Sequence, residues 1–204
     1  NSDINGAIYL GKDAVLKTNG GNLTLSGGSD VSVGYAQGNS TYINGIVLDS
    51  PHISTAGGNI ILRGKGYAGA NADGIQIRGT NIAGWAIDSG SGTINFTGVS
   101  VASAGAYAAG VRLNYSTWGT VTSASTGSNA ITITADSSGI SGAQSGAADG
   151  FINENGSVIS ATAIGGGLSI TGIGATDQGF NIRDLNSGKY LSNGGALSFT
   201  GSSS

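Results

Sequence analysis

A ten-residue pattern recurs six times along this chain, and it constrains the fold more than any other feature. Its first copy, residues 18–27, reads Thr-Asn-Gly-Gly-Asn-Leu-Thr-Leu-Ser-Gly. The first apolar residue of the successive copies falls at Leu23, Ile60, Ile94, Ile131, Leu168 and Leu197, with spacings of 37, 34, 37, 37 and 29 residues. Self-similarity at such a period is the signature of a repeat architecture, in which each repeat packs mainly on its neighbours. The chain is therefore predicted to be a solenoid.

A second pattern, a small residue followed by apolar-x-apolar, lies between these copies. It occurs at residues 7–10, 45–49, 74–78, 110–114, 150–154 and 179–183. Both patterns alternate with period two, which is typical of β-strands. The two strands of a period lie about 17 residues apart, and we interpret that distance as one coil. We predict an all-β, right-handed parallel β-helix of roughly 10–12 coils, because parallel crossovers favour the right hand.

Composition supports an ordered, exported chain and argues against two classes of partner. The sequence has 39 glycines in 204 residues, 9% charged residues and no cysteine. Eight Lys and Arg, scattered along a chain of net charge −3, form no basic stripe for nucleic acid. No apolar run reaches the ~20 residues that would insert in a membrane. Because the chain starts within a repeat, we expect residues 1–204 to be a single β-helix segment from a longer exoprotein.

The Gly-Gly motifs carry a resemblance to a known family. They read Gly-Gly-Asn-Leu-Thr-Leu at 20–25, Gly-Gly-Asn-Ile-Ile-Leu at 57–62, Gly-Gly-Leu-Ser-Ile-Thr-Gly at 166–172 and Gly-Gly-Ala-Leu-Ser-Phe-Thr-Gly at 194–201. With these motifs the chain resembles the repeat region of filamentous-haemagglutinin-type exoproteins of two-partner secretion systems. The resemblance implies a right-handed parallel β-helix that is exported through an outer-membrane transporter partner. It also implies a secreted protein at the bacterial cell surface, either an adhesin for a receptor or glycan on a host or neighbouring cell, or an extended stalk.

The outward positions of the second pattern point to a binding surface. They carry mixed polar residues: Val47 and Asp49, Gln76 and Arg78, Arg112 and Asn114, Ile152 and Glu154, Asn181 and Arg183. Aromatic residues occur in the neighbouring connections, and rings beside amides and guanidinium groups suit sugars, whose C–H faces stack on the ring. The predicted glycan-binding residues are Gln76, Trp85, Arg112, Tyr115, Trp118 and Tyr190. The alternative is that these rings only cap the ends of the core or stack on one another between coils.

Three further functions follow from other features of the sequence. A polysaccharide-active β-helix enzyme would need paired carboxylates, but the eleven Asp and Glu residues are placed singly. We therefore predict no catalytic residue, no metal site and no cofactor, and we interpret the single histidine, His52, as a turn residue. Outward Ser and Thr of the first pattern form a hydroxyl ladder of the kind that binds ice, interrupted at Ile61 and Arg63. A purely structural stalk is the third alternative to a non-catalytic adhesin segment that presents binding loops on a rigid rod.

Overall fold

The chain folds into a parallel β-solenoid in a computed structural model, which describes residues 6–79, 84–103, 108–114, 118–140, 148–154, 156–175, 179–183 and 188–203. Within these ranges the regular elements are all strands. In chain order they are β1 (Ile8–Leu10), β2 (Val15–Lys17), β3 (Leu23–Leu25), β4 (Ala36–Gln37), β5 (Ile46–Asp49), β6 (His52–Ser54), β7 (Ile60–Lys65), β8 (Ile75–Arg78), β9 (Trp85–Asp88), β10 (Ile94–Val99), β11 (Val111–Asn114), β12 (Gly119–Ser123), β13 (Ile131–Asp136), β14 (Phe151–Glu154), β15 (Val158–Gly174), β16 (Phe180–Arg183) and β17 (Lys189–Ser203).

Two parallel sheets form the walls of the solenoid. The first sheet stacks six strands in the order β1-β5-β8-β11-β14-β16. The second sheet contains the strands of the ten-residue pattern, with Ile60, Ile94 and Ile131 in register on successive coils. It also contains the strands that come directly after each first-sheet strand in the chain, such as β6, which pairs with β9. The parallel, stacked architecture predicted from the repeats is thus confirmed.

The prediction of roughly 10–12 coils is wrong, because one coil takes up a whole repeat period. Strand β7 pairs with β10, which begins 34 residues later, and among the described residues the first sheet has six levels. Both sequence patterns therefore belong to the same coil, on different walls. A short, weakly patterned strand such as β6 lies between them and completes the turn. The right-handed winding stays a prediction.

Columns of apolar side chains fill the inside of the coils. Ile46, Ile75, Val111 and Phe151 follow one another along the first sheet, and all four are fully buried. Ile60, Ile94 and Ile131 form the facing column of the second sheet and are equally buried. Burying each such side chain contributes about 1.5–3 kcal/mol. The continuous core holds the walls at fixed positions, so that their outward residues form rigid surfaces.

In the four repeats that contain it, the Gly-Gly pair lies at the corner before the second-sheet strand. At one corner Ala56 and Gly57 have φ values of 52° and 118°, the left-handed region that favours glycine. A Cβ at the next residue, Gly58, would overlap the carbonyl oxygen of Gly21 on the adjacent coil. The first glycine is thus required by the turn and the second by the close approach of coils, which explains why the motif recurs.

Candidate functional site

The outward face of the first sheet, which we call the outer wall, combines aromatic and polar side chains. Its strands place Tyr9, Val47, Gln76, Arg112 and Ile152 in one column, because these residues are direct register partners on successive coils. A second column places Asp49 beside Arg78. Alternation within each strand sends these side chains away from the core. The columns match the outward positions that the sequence predicted, but Asp49, Arg112 and Ile152 are buried, so only part of the predicted mixed polar face is open to solvent.

A cavity of about 130 Å³ opens at the N-terminal end of the outer wall. It is lined by Ala7, Ile8, Tyr9, Tyr42, Ile43, Asn44, Val47 and Arg78. Tyr9 and Tyr42 are 50% and 60% exposed, unusually high values for aromatic side chains. Tyr9 comes from strand β1, whereas Tyr42 comes from the connection between β4 and β5. The cavity thus lies where a loop meets the rigid wall, an arrangement typical of binding sites.

Arg78 is the charged residue of this cavity, and its charge is compensated. Its Nη2 and Nε donate to Oδ2 of Asp49, on the adjacent coil, at 3.1 and 3.3 Å. Nη2 also lies 3.5 Å from the hydroxyl oxygen of Tyr9. The Arg78 side chain is 36% exposed and that of Asp49 is 8% exposed. The ion pair therefore presents guanidinium N–H groups at the cavity without a strong net charge.

Asn44 contributes an amide that is fixed by its neighbours. Its Oδ1 accepts a hydrogen bond of 2.7 Å from the backbone N–H of Asp73. Its Nδ2 donates to Oε1 of Gln76 at 3.4 Å, and Gln76 Nε2 in turn donates to Oδ2 of Asp73 at 3.1 Å. These bonds join the cavity to a buried polar network further along the wall.

The centre of that network is an ion pair between Asp73 and Arg112. Arg112 Nε and Nη2 donate to the two carboxylate oxygens at 2.9 and 3.2 Å, and the backbone N–H of Ala109 donates to Oδ1 at 2.8 Å. Arg112 Nη1 lies 3.5 Å from Oε1 of Glu154 on the following coil. Both members of the pair are almost completely buried. The network therefore links three successive coils.

Burial and ion pairing shift the pKa values of Asp73 and Arg112 in opposite directions. Burial raises the pKa of the Asp73 carboxyl above its ordinary value, and the charge and hydrogen bonds of Arg112 oppose that rise. Burial lowers the pKa of the Arg112 guanidinium, but the carboxylates of Asp73, Glu154 and Asp149 together outweigh burial, so that the pKa is raised overall. Arg112 stays a cation inside the wall, where it needs its carboxylate partner.

Of the five predicted glycan-binding residues that the structure describes, it brings together Gln76 and Arg112, which are register partners that both contact Asp73. Trp85 is 2% exposed and packs in the core from the second sheet. Arg112 is 4% exposed, so neither side chain offers a surface that a ligand could contact. Trp118 is 60% exposed, but it precedes β12 of the second sheet, on a different wall. Tyr115 lies outside the described residues.

Tyr190 and Gln76 complete the predicted set. Asn153 Nδ2, at an inward position of β14, donates to the hydroxyl oxygen of Tyr190 at 2.8 Å. The Tyr190 ring also meets Phe199 edge to face, with 5.3 Å between the ring centroids. Tyr190 thus caps the apolar core, as the alternative interpretation of the aromatic residues expected. Gln76 is the one predicted residue on the outer wall that is partly exposed, and it positions Asn44 in the cavity.

Sequence reasoning missed Tyr9, Tyr42 and Asn44 as cavity residues. One signal was present for Tyr9: as the middle residue of Ile8–Leu10 it must point outward, in the column that contains Gln76. No comparable signal existed for Tyr42, because it lies in a connection whose sequence shows no alternation of apolar and polar residues. The position of Asn44 is set by hydrogen bonds across coils, which sequence spacing does not reveal.

The hydroxyl ladder predicted for the second sheet does form. Asn95, Thr132, Ser169 and Ser198 are in register, and so are Thr97, Thr134, Thr171 and Thr200. On the preceding coil the ladder is interrupted by Ile61 and Arg63. Arg63 Nη2 donates to the carbonyl oxygen of Val33 at 3.3 Å, and its guanidinium lies 5.1 Å from the Tyr35 ring centroid. The regular hydroxyl surface is therefore limited to four coils.

The described residues contain neither a candidate metal site nor a membrane-spanning helix. They contain no group of three or more His, Cys, Asp and Glu that could hold a metal ion. Among the same residues, no helix has the length and apolar character needed to cross a membrane.

Comparison of the chain with models of protein families, with curated proteins and with solved structures finds no match. The fold and the site therefore define its class on their own. The chain is a parallel β-solenoid of repeated coils, with an aromatic and polar cavity on its outer wall.

Proposed function

We propose that this chain is a non-catalytic segment of a secreted bacterial cell-surface adhesin, which binds a receptor or glycan on a host or neighbouring cell. The observation that carries the proposal is the cavity between the exposed Tyr9 and Tyr42 rings, with Arg78 and Asn44 beside them. Aromatic residues and arginine are the side chains most often found at binding hot spots. The rigid core below them keeps the binding groups in place, which lowers the entropic cost of binding.

The chemistry of the cavity favours binding over catalysis. Cleavage of a glycosidic bond usually requires two carboxyl groups about 5–10 Å apart, on either side of the bond. The described residues that line the cavity include no Asp or Glu, and the adjacent Asp49 is paired with Arg78. Asp73 is buried beneath the wall and paired with Arg112. These carboxylates are engaged in holding coils together, which supports a non-catalytic role.

The cell-surface location and the outer-membrane transporter partner rest on the resemblance to filamentous-haemagglutinin-type exoproteins. The parallel solenoid is compatible with that resemblance. A chain without cysteine also suits export in an unfolded state, because no disulfide can lock it early.

An adhesion assay with the 204-residue chain tests this proposal. Circular dichroism first shows that the Tyr42→Ala and Trp118→Ala variants are folded. Beads are then coated with the unmodified chain or with one of the variants, and they are applied to epithelial cells and to bacterial cells. We expect the unmodified chain and Trp118→Ala to adhere to one of these cell types and Tyr42→Ala to adhere much less. Absence of adhesion to both cell types, or full adhesion of Tyr42→Ala, would overturn the proposal and favour a structural stalk.

A further inference from the structure

We infer that the cavity on the outer wall binds a single ring of an uncharged saccharide, recognised by Tyr9, Tyr42, Asn44 and Arg78. This inference rests on the proposed function, since it names the ligand class for the same site. Three of these four residues were not suggested by the sequence; only Arg78 lies at a position that the sequence analysis placed on the polar face.

The size of the cavity limits what can enter it. The volume of the cavity is about 130 Å³. It is well below the ~300–1,000 Å³ of pockets for drug-sized ligands. A single six-membered ring, inserted from one side and partly exposed, suits these dimensions. A longer glycan would place one residue in the cavity and extend along the outer wall.

The lining has the amphipathic character of a sugar-binding site. Ile8, Ile43 and Val47 form its apolar part, and the half-exposed rings of Tyr9 and Tyr42 lie at its edge. Such rings provide an apolar face for sugar C–H groups and a hydroxyl that can form hydrogen bonds. A saccharide, which combines C–H faces with hydroxyls, would cover both kinds of surface.

The donors at the cavity distinguish a saccharide from an apolar peptide side chain. A guanidinium has five N–H donors, and the bonds from Arg78 to Asp49 and Tyr9 use Nε and Nη2. Nη1 and the amide of Asn44 would lose water when an apolar group entered, and an unpaired polar group costs about 1–3 kcal/mol. Ring hydroxyls can accept from these donors, so a saccharide avoids that cost.

The charge of the site favours a neutral sugar over an acidic one. Asp49 Oδ2 already lies 3.1 Å from Arg78 Nη2, so a carboxylate or sulfate on the ligand would have to compete with it. The ligand charge would also face the Asp49 carboxylate at close range, and like charges in a partly buried site repel. The formal net charge of −3 gives an acidic glycan no long-range attraction to the chain.

The experiment is a titration of the folded 204-residue chain, followed by NMR, with neutral methyl pyranosides of glucose, galactose, mannose and N-acetylglucosamine. Methyl glucuronide and N-acetylneuraminic acid serve as acidic probes. We expect at least one neutral pyranoside to bind, with affinity falling about tenfold or more in Tyr42→Ala and in Arg78→Leu. Trp118→Ala, an equally exposed aromatic residue on the other wall, is the matched control and should bind as the unmodified chain does.

Each outcome decides the inference. Failure of all neutral pyranosides to bind, a preference for the acidic probes, or unchanged binding by folded Tyr42→Ala would overturn it. If no sugar binds while cell adhesion still depends on Tyr42, the proposed adhesin function stands and the ligand is a protein receptor. If a neutral sugar binds but the coated beads adhere to no cell, the saccharide site stands and the adhesin function fails.

Discussion

Arg112 binds both carboxylate oxygens of Asp73, which lies 39 residues earlier in the chain, at 2.9 and 3.2 Å. The two residues belong to adjacent coils, and the same aspartate also orients Asn44 through its backbone N–H. A cation at an outward strand position is thus buried and used to join coils. Through Asn44, the pair connects the stability of the solenoid with the geometry of the cavity.

Removing one member of this pair should destabilise the fold strongly. Arg112→Met leaves the Asp73 carboxyl buried without its cation, and breaking a buried pair in this way typically costs about 3–5 kcal/mol. The double variant Asp73→Asn with Arg112→Met should regain much of that loss, because neither charge remains buried. The free energies of unfolding are measured by urea denaturation. A loss below about 1 kcal/mol in Arg112→Met would contradict the burial of the pair.

The two tryptophans should respond very differently to truncation. Trp85 is 2% exposed and Trp118 is 60% exposed. Trp85→Ala should therefore lower the free energy of unfolding by about 3–5 kcal/mol, whereas Trp118→Ala should change it by about 0.5 kcal/mol or less. Chemical denaturation of the two variants, followed by circular dichroism, gives both values. Equal losses would mean that the walls of the solenoid are assigned wrongly.

Gly119 should not tolerate a side chain. A Cβ at this position would overlap the indole ring of Trp85 on the adjacent coil. Gly119→Ala should therefore force the ring or the strand to move, at a cost of about 1–3 kcal/mol. Gly127→Ala is the matched control, since the nearest atom to its Cβ would be Ser125 Oγ at 3.6 Å. Thermal unfolding of both variants tests the stacking, and a Gly119→Ala melting temperature equal to that of the control would argue against it.

Buried hydroxyls at the corners should stabilise the stack of coils. Thr55 Oγ1 donates to the carbonyl oxygen of Gly58 and lies 3.2 Å from that of Ser89 on the next coil. Thr55→Val keeps the shape but removes the hydroxyl donor to the Gly58 carbonyl oxygen, whereas that of Ser89 still accepts from the backbone N–H groups of Gly57 and Gly92. Loss of the buried bond to Gly58 should cost about 1–3 kcal/mol. Thr132→Val, on the outward hydroxyl ladder, should be nearly neutral. Urea denaturation gives the free energy of unfolding of both variants. Equal values for the two valine variants would contradict the prediction.

The sequence predicted the architecture well because the two patterns are strong. Ile60, Ile94 and Ile131 are in register as their repeat positions required. The coil count was wrong because the intervening strand, His52–Ser54, has a single inward apolar residue. So short a strand carries almost no periodic signal, and the two strong strands were therefore placed on separate coils.

The residues of the candidate site were predicted only in part, for a different physical reason. Alternation tells which side of a sheet a residue faces, but not whether another segment covers that side. Arg112 and Ile152 both point outward from the first sheet, and both are buried. The cavity depends on Tyr42, which reaches the wall from an irregular connection. Only the folded chain shows which outward residues remain accessible.

The position of the binding surface can be measured directly by photocrosslinking. Benzoylphenylalanine is introduced at position 42, at position 118 or at position 171, and each folded chain is irradiated on the cells to which the unmodified chain adheres. Position 42 lies at the cavity, position 118 is the exposed tryptophan site on the other wall, and position 171 belongs to the hydroxyl ladder. We predict that only position 42 crosslinks to cell-surface material. Crosslinking at position 118 or 171 that equals or exceeds that at position 42 would contradict the assignment of the outer wall as the binding surface.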